Sequence, residues 1–208
     1  MKALERIASA LGRNDDQPNI ELAEQLAAAR DSDGVAEIVT GLSGNAATAG
    51  DCIKVLYEIG YRRPELIAPY AETFVELLRS KNNRLVWGAM AALACAAPLR
   101  PQPVFERLDA VIAAYEKGSV ITVDNSISVF ASLCAADAAY EERIMPLLVR
   151  HLQTCRAKEI PQHLERMVCC LRAANGRPAA EIVQARMGEL TETQQKRARK
   201  ALKTIAPE

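Results

Sequence analysis

The sequence predicts an all-α protein made of stacked helix pairs, and three observations carry that expectation. Half of the 208 residues are apolar but only 4% are aromatic, a balance of Ala, Leu, Ile and Val that suits closely approaching helices better than a sheet. Helical periodicity is almost continuous, and no segment alternates with period two for long enough to make a strand. An apolar stripe also recurs at a nearly constant spacing along the chain.

Helices are predicted over about 2–11, 19–30, 34–42, 46–59, 64–79, 83–97, 102–117, 123–136, 139–155, 161–174, 178–189 and 192–205. Turn material separates them: Asn14-Asp15-Asp16, Ser43-Gly44-Asn45, Arg62-Arg63-Pro64, Pro98 to Pro103, Gly118-Ser119 and Asn175-Gly176-Arg177-Pro178. Pro64 and Pro178 stand where a first helical turn accepts proline, and Gly176 fits a left-handed helix end. Thr191 and Gln194 suit a capping box on the last helix. No Gly/Ser linker or low-complexity tract divides the chain. One domain is therefore expected over 1–208, with 1–63 holding divergent N-terminal helices and a first aligned helix, 64–174 the clearest repeats and 178–208 a cap.

The repeat emerges when four helices are aligned on Leu56, Leu93, Leu133 and Leu171, at spacings of 37, 40 and 38 residues. Three positions earlier stand Ile53, Met90, Phe130 and Val168; four earlier, Cys52, Ala89, Val129 and Met167. Seven earlier stand Ala49, Val86, Ser126 and Leu164, so only Ser126 breaks the apolar face. Preceding helices carry Pro69, 24 residues before Leu93, and Pro146, 25 before Leu171. A single helix hairpin cannot bury such a stripe, so neighbouring units must stack.

The unit Leu66-Ile67-Ala68-Pro69 … Leu77-Leu78-Arg79 … Asn82-Asn83-Arg84-Leu85-Val86 … Ala89 … Ala92-Leu93 resembles a HEAT repeat. The likeness to the HEAT/armadillo-like helical repeat superfamily is good over 64–97, fair over 102–136 and 139–174, and weak elsewhere. It implies a right-handed α-solenoid, an α-α superhelix whose second helices line a concave surface. Where that family usually places Arg directly after the Val, this chain has Trp87, Ile127 and Glu165, which removes the usual Arg–Asp ladder between neighbours.

Charge narrows the function. Lys+Arg and Asp+Glu are 26 each, whereas a protein that coats nucleic acid or an anionic membrane carries a basic excess. The longest dense apolar run, Met90 to Pro98, falls far short of the roughly 20 residues a bilayer demands. An acidic residue at Glu5 interrupts any signal-like N-terminus. Six cysteines without a signal read as reduced thiols, so a cytoplasmic location is expected.

No catalytic constellation, cofactor motif or metal set is assigned. The cysteines contain no C-x-x-C pair and read as packing residues. His151 and Cys155 are one helical turn apart and His163 opens the next helix, so the three can converge, but no fourth ligand is evident. Trp87 resembles a groove aromatic of HEAT-like DNA glycosylases, yet position 91 is Ala and no second Trp exists; packing between repeats is the expected role. The iron site of deoxyhypusine hydroxylase needs His-Glu pairs, and neither histidine is followed by Glu. Gly44 to Gly50 lacks the Lys-Ser/Thr of a phosphate loop and reads as a turn.

The resulting expectation is a non-catalytic scaffold that binds another protein or peptide through its concave face. Helix phase places Asp51, Lys54, Glu58, Arg84, Asp124, Ser128, Gln162 and Arg166 on that face, with mixed charge suited to protein recognition. The last helix offers an alternative basic face of Lys196, Arg199, Lys200 and Lys203, opposite a buried stripe of Ala198, Ala201, Leu202 and Ile205. A second function class, a HEAT-like nucleic-acid-binding or alkylbase-glycosylase-like DNA-repair protein, would draw on Arg62, Arg63, Arg79, Lys81, Arg84 and this C-terminal cluster.

Overall fold

The computed structural model describes residues 2–172 and 174–205, and among them there is no strand. The chain forms two compact units, Met1–Ser126 and Ile127–Glu208. The boundary falls inside a helix, not at a linker.

Unit 1 opens with a single 3-10 turn, Ala3–Arg6, where a helix over 2–11 was expected. The N–H groups that would continue it are taken by side chains from later helices. Ala8 N–H donates to Asn19 Oδ1 (2.9 Å) and Ser9 N–H to Asp51 Oδ2 (2.7 Å). Helix α1 (Gln17–Ala29) follows, then α2 (Ser32–Thr40) behind the Asp31 cap, whose carboxylate accepts from Gly34 N–H.

Between them α1 ends in a Schellman pattern. Asp31 N–H reaches Leu26 O (3.0 Å) and Arg30 N–H reaches Ala27 O (3.3 Å). Arg30 supplies the left-handed residue, at φ 51°. A β-carbon in that conformation costs about 1–2 kcal/mol, against about 0.5–1 kcal/mol for the extra freedom glycine retains when unfolded. Arg30→Gly is therefore expected to stabilise the protein by about 0.5–1 kcal/mol, measurable as a higher urea midpoint. A lowered midpoint would show that the arginine side chain outweighs the backbone strain.

Helix α3 (Ala46–Arg62) starts behind Asn45, whose Oδ1 accepts from Ala47 and Thr48 N–H, each at 3.0 Å. The helix-terminal N–H groups a phosphate would use are thus occupied, which leaves Gly44 to Gly50 as turn and helix. The predicted helix 64–79 is broken into α4 (Pro64–Ile67), a 3-10 turn (Ala68–Tyr70) and α5 (Ala71–Leu77). Pro69 causes the break, because it has no N–H to donate and its ring clashes with the carbonyl four residues back. Helix α6 (Asn83–Ala96) begins at the Asn82 cap, and α7 (Pro101–Phe105) and α8 (Leu108–Lys117) replace the single helix expected over 102–117. Helix α9 (Val120–Ala136) carries the chain through the unit boundary.

In unit 2, α10 (Ala138–Thr154) runs unbroken through the exposed Pro146. Helix α11 (Ile160–Met167) stops earlier than predicted. Beyond it Arg172 N–H donates to Asn175 Oδ1 (2.7 Å) and Asn175 Nδ2 to Cys170 O (3.1 Å), closing a turn. Ala173, within the expected helix, lies outside the described residues. Helices α12 (Arg177–Ala185) and α13 (Glu192–Ile205) complete the unit. Gly176 is right-handed, at φ −81°, which corrects the left-handed expectation. It is glycine for space, since a β-carbon there would collide with Ile205 Cγ2 and the Arg172 carbonyl. The predicted capping box exists: Thr191 N–H donates to Gln194 Oε1 (2.9 Å), and Gln194 N–H to Thr191 Oγ1 (3.4 Å).

The aligned stripe is the core. Leu56, Leu93, Leu133 and Leu171 are buried, as are Ile53, Met90 and Phe130 three positions before the first three. Cys52, Ala89, Val129 and Met167 are fully buried. Val86 and Val168 are only half-buried. Ser126, the polar exception, is fully buried and donates its hydroxyl to Thr122 O (2.8 Å). That bond removes the penalty of burying a hydroxyl.

Candidate functional site

In unit 1 the face of α3 that turns away from the core carries Asp51, Lys54, Glu58 and Tyr61/Arg62, one helical stripe. Its members are not free surface charges. Asp51 is only 6% exposed. Its carboxylate accepts from Ser9 N–H (2.7 Å) and Asn19 Nδ2 (2.9 Å) and pairs with Arg84 Nη2 on α6 (3.5 Å). Arg84 also reaches Asp16 (3.1 Å). Lys54, equally withdrawn, pairs with Glu58 (2.8 Å) and lies 4.9 Å from the Tyr57 ring centre. Glu58 also binds Arg62 (2.6 Å), and Arg62 reaches Glu24 on α1 (2.8 Å). Burial raises the pKa of Glu58, but the Lys54 and Arg62 hydrogen bonds outweigh it and hold the carboxyl below its ordinary 4.5.

Three aromatic rings adjoin this stripe. Tyr57 is buried and stands 5.6 Å from both Tyr61 and Trp87. Tyr61 is 58% exposed, and Trp87 is half-buried. Trp87 thus packs α6 against α3, as its place beside the core stripe predicts, and it keeps an edge at the surface. The sequence reading missed Tyr57 and Tyr61. Extending the Asp51–Lys54–Glu58 stripe by one further turn would have reached Tyr61 and Arg62.

An inter-helix arginine contact recurs in place of the missing family ladder. Arg84 on α6 reaches Asp51 on α3. In unit 2, Arg166 on α11 donates to Ser128 Oγ on α9, and Arg197 on α13 forms a bidentate pair with Glu165 on α11 (2.9 and 2.6 Å). Each arginine ties a second helix to the one before it in its unit. Asp124 and Gln162 are half-buried, with polar or electrostatic contacts of their own.

The alternative basic face is exposed on α13 at Lys196, Arg199, Lys200 and Lys203, with Arg199 donating to Gln195 Oε1 (3.0 Å). Ala198, Ala201 and Ile205 are buried opposite, and Leu202 is half-buried. Of the basic residues a nucleic-acid surface would draw on, Arg62, Arg63 and Arg84 are each paired with carboxylates. Arg79 and Lys81 line an open groove with Lys117 and Asp109. Pairing inside the protein lowers the charge a phosphate backbone would meet.

The thiols divide by environment. Burial pushes Cys52 up to about 12 and Cys95 to about 11. In unit 2, Cys170 shares hydrogen bonds with Cys134 and Cys169, and that contact brings the exposed Cys169 down to about 7. Alkylation near neutral pH is expected to modify Cys169 first, with Cys52 and Cys95 last. A peptide-resolved mass-spectrometric time course reads the order, and early labelling of Cys52 would contradict it.

The fold is that of the armadillo/HEAT-like helical repeats, an all-α solenoid class. Two engineered proteins solved by the Northeast Structural Genomics Consortium are similar. One matches at 20% identity and a TM-score of 0.65, over 99% of this chain and 97% of that one. The other matches at 19% and 0.65, over 97% of this chain and 57% of that one. A computationally designed armadillo repeat protein for modular peptide recognition matches at 19% and 0.65, over 99% and 91% of the two chains. No protein-family model and no curated protein matches the sequence. At such identities the likeness establishes the fold alone. No helix among the described residues is long and apolar enough to cross a membrane.

Proposed function

We propose that this chain is a non-catalytic repeat scaffold that binds a segment of another protein through its concave surface, along α3 and α6. One observation carries the reading. Exposed Tyr61 and half-buried Trp87 flank buried Tyr57 inside a frame of charges already held in place by one another. Amphipathic aromatics with one wet edge are effective anchors at protein interfaces. A pre-ordered polar rim lowers the entropic cost of binding.

Asp51, Lys54, Glu58 and Arg84 frame this site and position it, and Asp124 belongs to the same unit. In unit 2 the equivalent positions are Ser128, Gln162 and Arg166. The likeness to a design made for modular peptide recognition supports a peptide segment as the bound form. Such a partner would meet the protein in the cytoplasm.

The test is affinity purification with the intact protein, Tyr61→Ala, and a variant with Lys196, Arg199, Lys200 and Lys203 all changed to Glu. Partners recovered with the parent protein are expected to be lost with Tyr61→Ala and kept with the four-site variant, while both melt as the parent does. The reverse pattern would move the binding surface to α13.

A further inference from the structure

The geometry points to a zinc-type divalent cation site in unit 2, formed by His151, Cys155 and His163. His151 stands in the last turn of α10, and Cys155 caps that helix, its N–H donating to His151 O (2.8 Å). His163 lies in α11, beyond the turn Ala157–Glu159. Both histidines are buried, His163 completely, and Cys155 is half-buried. One ligand atom from each residue falls within 4.8 Å of the other two. The rings meet with His151 Nε2 and His163 Nδ1 2.8 Å apart.

The donor set selects the class of ion. Two imidazoles and a thiolate suit zinc and its borderline-soft relatives, whereas magnesium and calcium take oxygen ligands. Ligand bonds of about 2.0–2.1 Å to nitrogen place two nitrogens of a tetrahedral site roughly 3.3 Å apart. The observed 2.8 Å separation therefore calls for only a small opening of the two rings.

Proton balance is simple. Without a cation one ring nitrogen donates to the other; on coordination that ring would move its proton to its second nitrogen, and neither imidazole would lose one. Only the Cys155 thiol releases a proton, one per cation bound.

The surroundings hold the ligands in place, with the Arg186 guanidinium beside the Cys155 thiol. Arg186 also donates to the carbonyls of Leu152 (2.8 Å), Gln153 (3.2 Å) and Cys155 (2.8 Å), which fixes the end of α10 on which two ligands stand. Glu159, on the connecting turn, is paired with Arg156. The mutual hydrogen bond accounts for one nitrogen of each buried histidine. It gives no reason for a thiol to share the same point, and coordination does.

The test uses the full-length protein after chelator treatment, titrated with cobalt(II) and then zinc(II). One cobalt per chain is expected, with a thiolate-to-cobalt charge-transfer band in the near ultraviolet, visible bands of four-coordinate intensity, and loss of both on adding zinc. Cys155→Ser, at a half-buried position, is expected to stay folded by circular dichroism and to lose the charge-transfer band. Its cobalt affinity should fall by more than the roughly 10–100-fold that follows loss of an outer hydrogen-bond partner. Cys169→Ser should bind as the parent does. Absence of saturable one-to-one binding would overturn the proposal, and so would an unchanged band in Cys155→Ser, which would place the metal on the Cys134–Cys169–Cys170 thiols.

Discussion

Asp51→Ala is expected to destabilise unit 1 by about 2–4 kcal/mol, since each buried donor left without its acceptor costs about 1–3 kcal/mol. The carboxylate serves the Asn19 amide, the Ser9 N–H and the Arg84 guanidinium, and so joins the N-terminal turn, α1, α3 and α6. Arg84 is the least affected of the three, because Asp16 remains and its side chain reaches solvent. Asp51→Asn should fall between parent and alanine, since its amide keeps one acceptor but turns an NH2 toward an existing donor. Urea unfolding reads both changes. A loss below about 1 kcal/mol in the alanine variant would mean that water takes over the vacated bonds. The same arrangement makes Arg84 a poor probe of partner binding. Reversing its charge would place a carboxylate between Asp16 and Asp51 and disturb the fold before any partner is met.

Gly88→Val is expected to cost about 1–3 kcal/mol through overpacking, despite valine's better helix propensity. A β-carbon at Gly88 would stand 2.8 Å from Ile53 Cγ1 and 3.1 Å from Ile53 Cγ2. Ile53 is fully buried in the aligned core and is β-branched, so it cannot rotate away cheaply. Helices α3 and α6 would have to separate, which would also spread Tyr57 from Trp87. The variant should therefore combine a lower urea midpoint with a red-shifted Trp87 emission. A stable variant with unchanged emission would show that the two helices yield without cost.

The parts of the fold legible in the sequence were those written as local chemistry. Asn45, Asn82 and Thr191 mark helix starts, and Pro64 and Pro178 mark first turns. The Leu-centred stripe marks what is buried. What escaped was set by residues distant in sequence. The helix expected over 2–11 fails because Asn19 and Asp51 claim its N–H groups, a bond spanning 42 residues in the second case. Pro69 and Pro146 stand within one residue of the same place in the repeat, yet one breaks its helix and the other does not.

The candidate surface was legible in helix phase but not in character. Asp51, Lys54 and Glu58 do share a face of α3. Their withdrawal into ion pairs depends on Asp16, Glu24, Arg62 and Arg84, drawn from three other segments and one further turn of α3 itself. The arginine ties between second helices were hidden in the same way. None occupies the position where the repeat family keeps its arginine.

The chain holds one tryptophan, Trp87, and it belongs to unit 1. Its fluorescence is thus a private signal of the α3–α6 contact, whereas far-ultraviolet circular dichroism sums the helices of both units. A denaturant titration followed by the two methods becomes a cooperativity experiment without any added label. Coincident curves would describe 208 residues melting as one, and separated curves would assign the tryptophan transition to unit 1 and the remainder to unit 2.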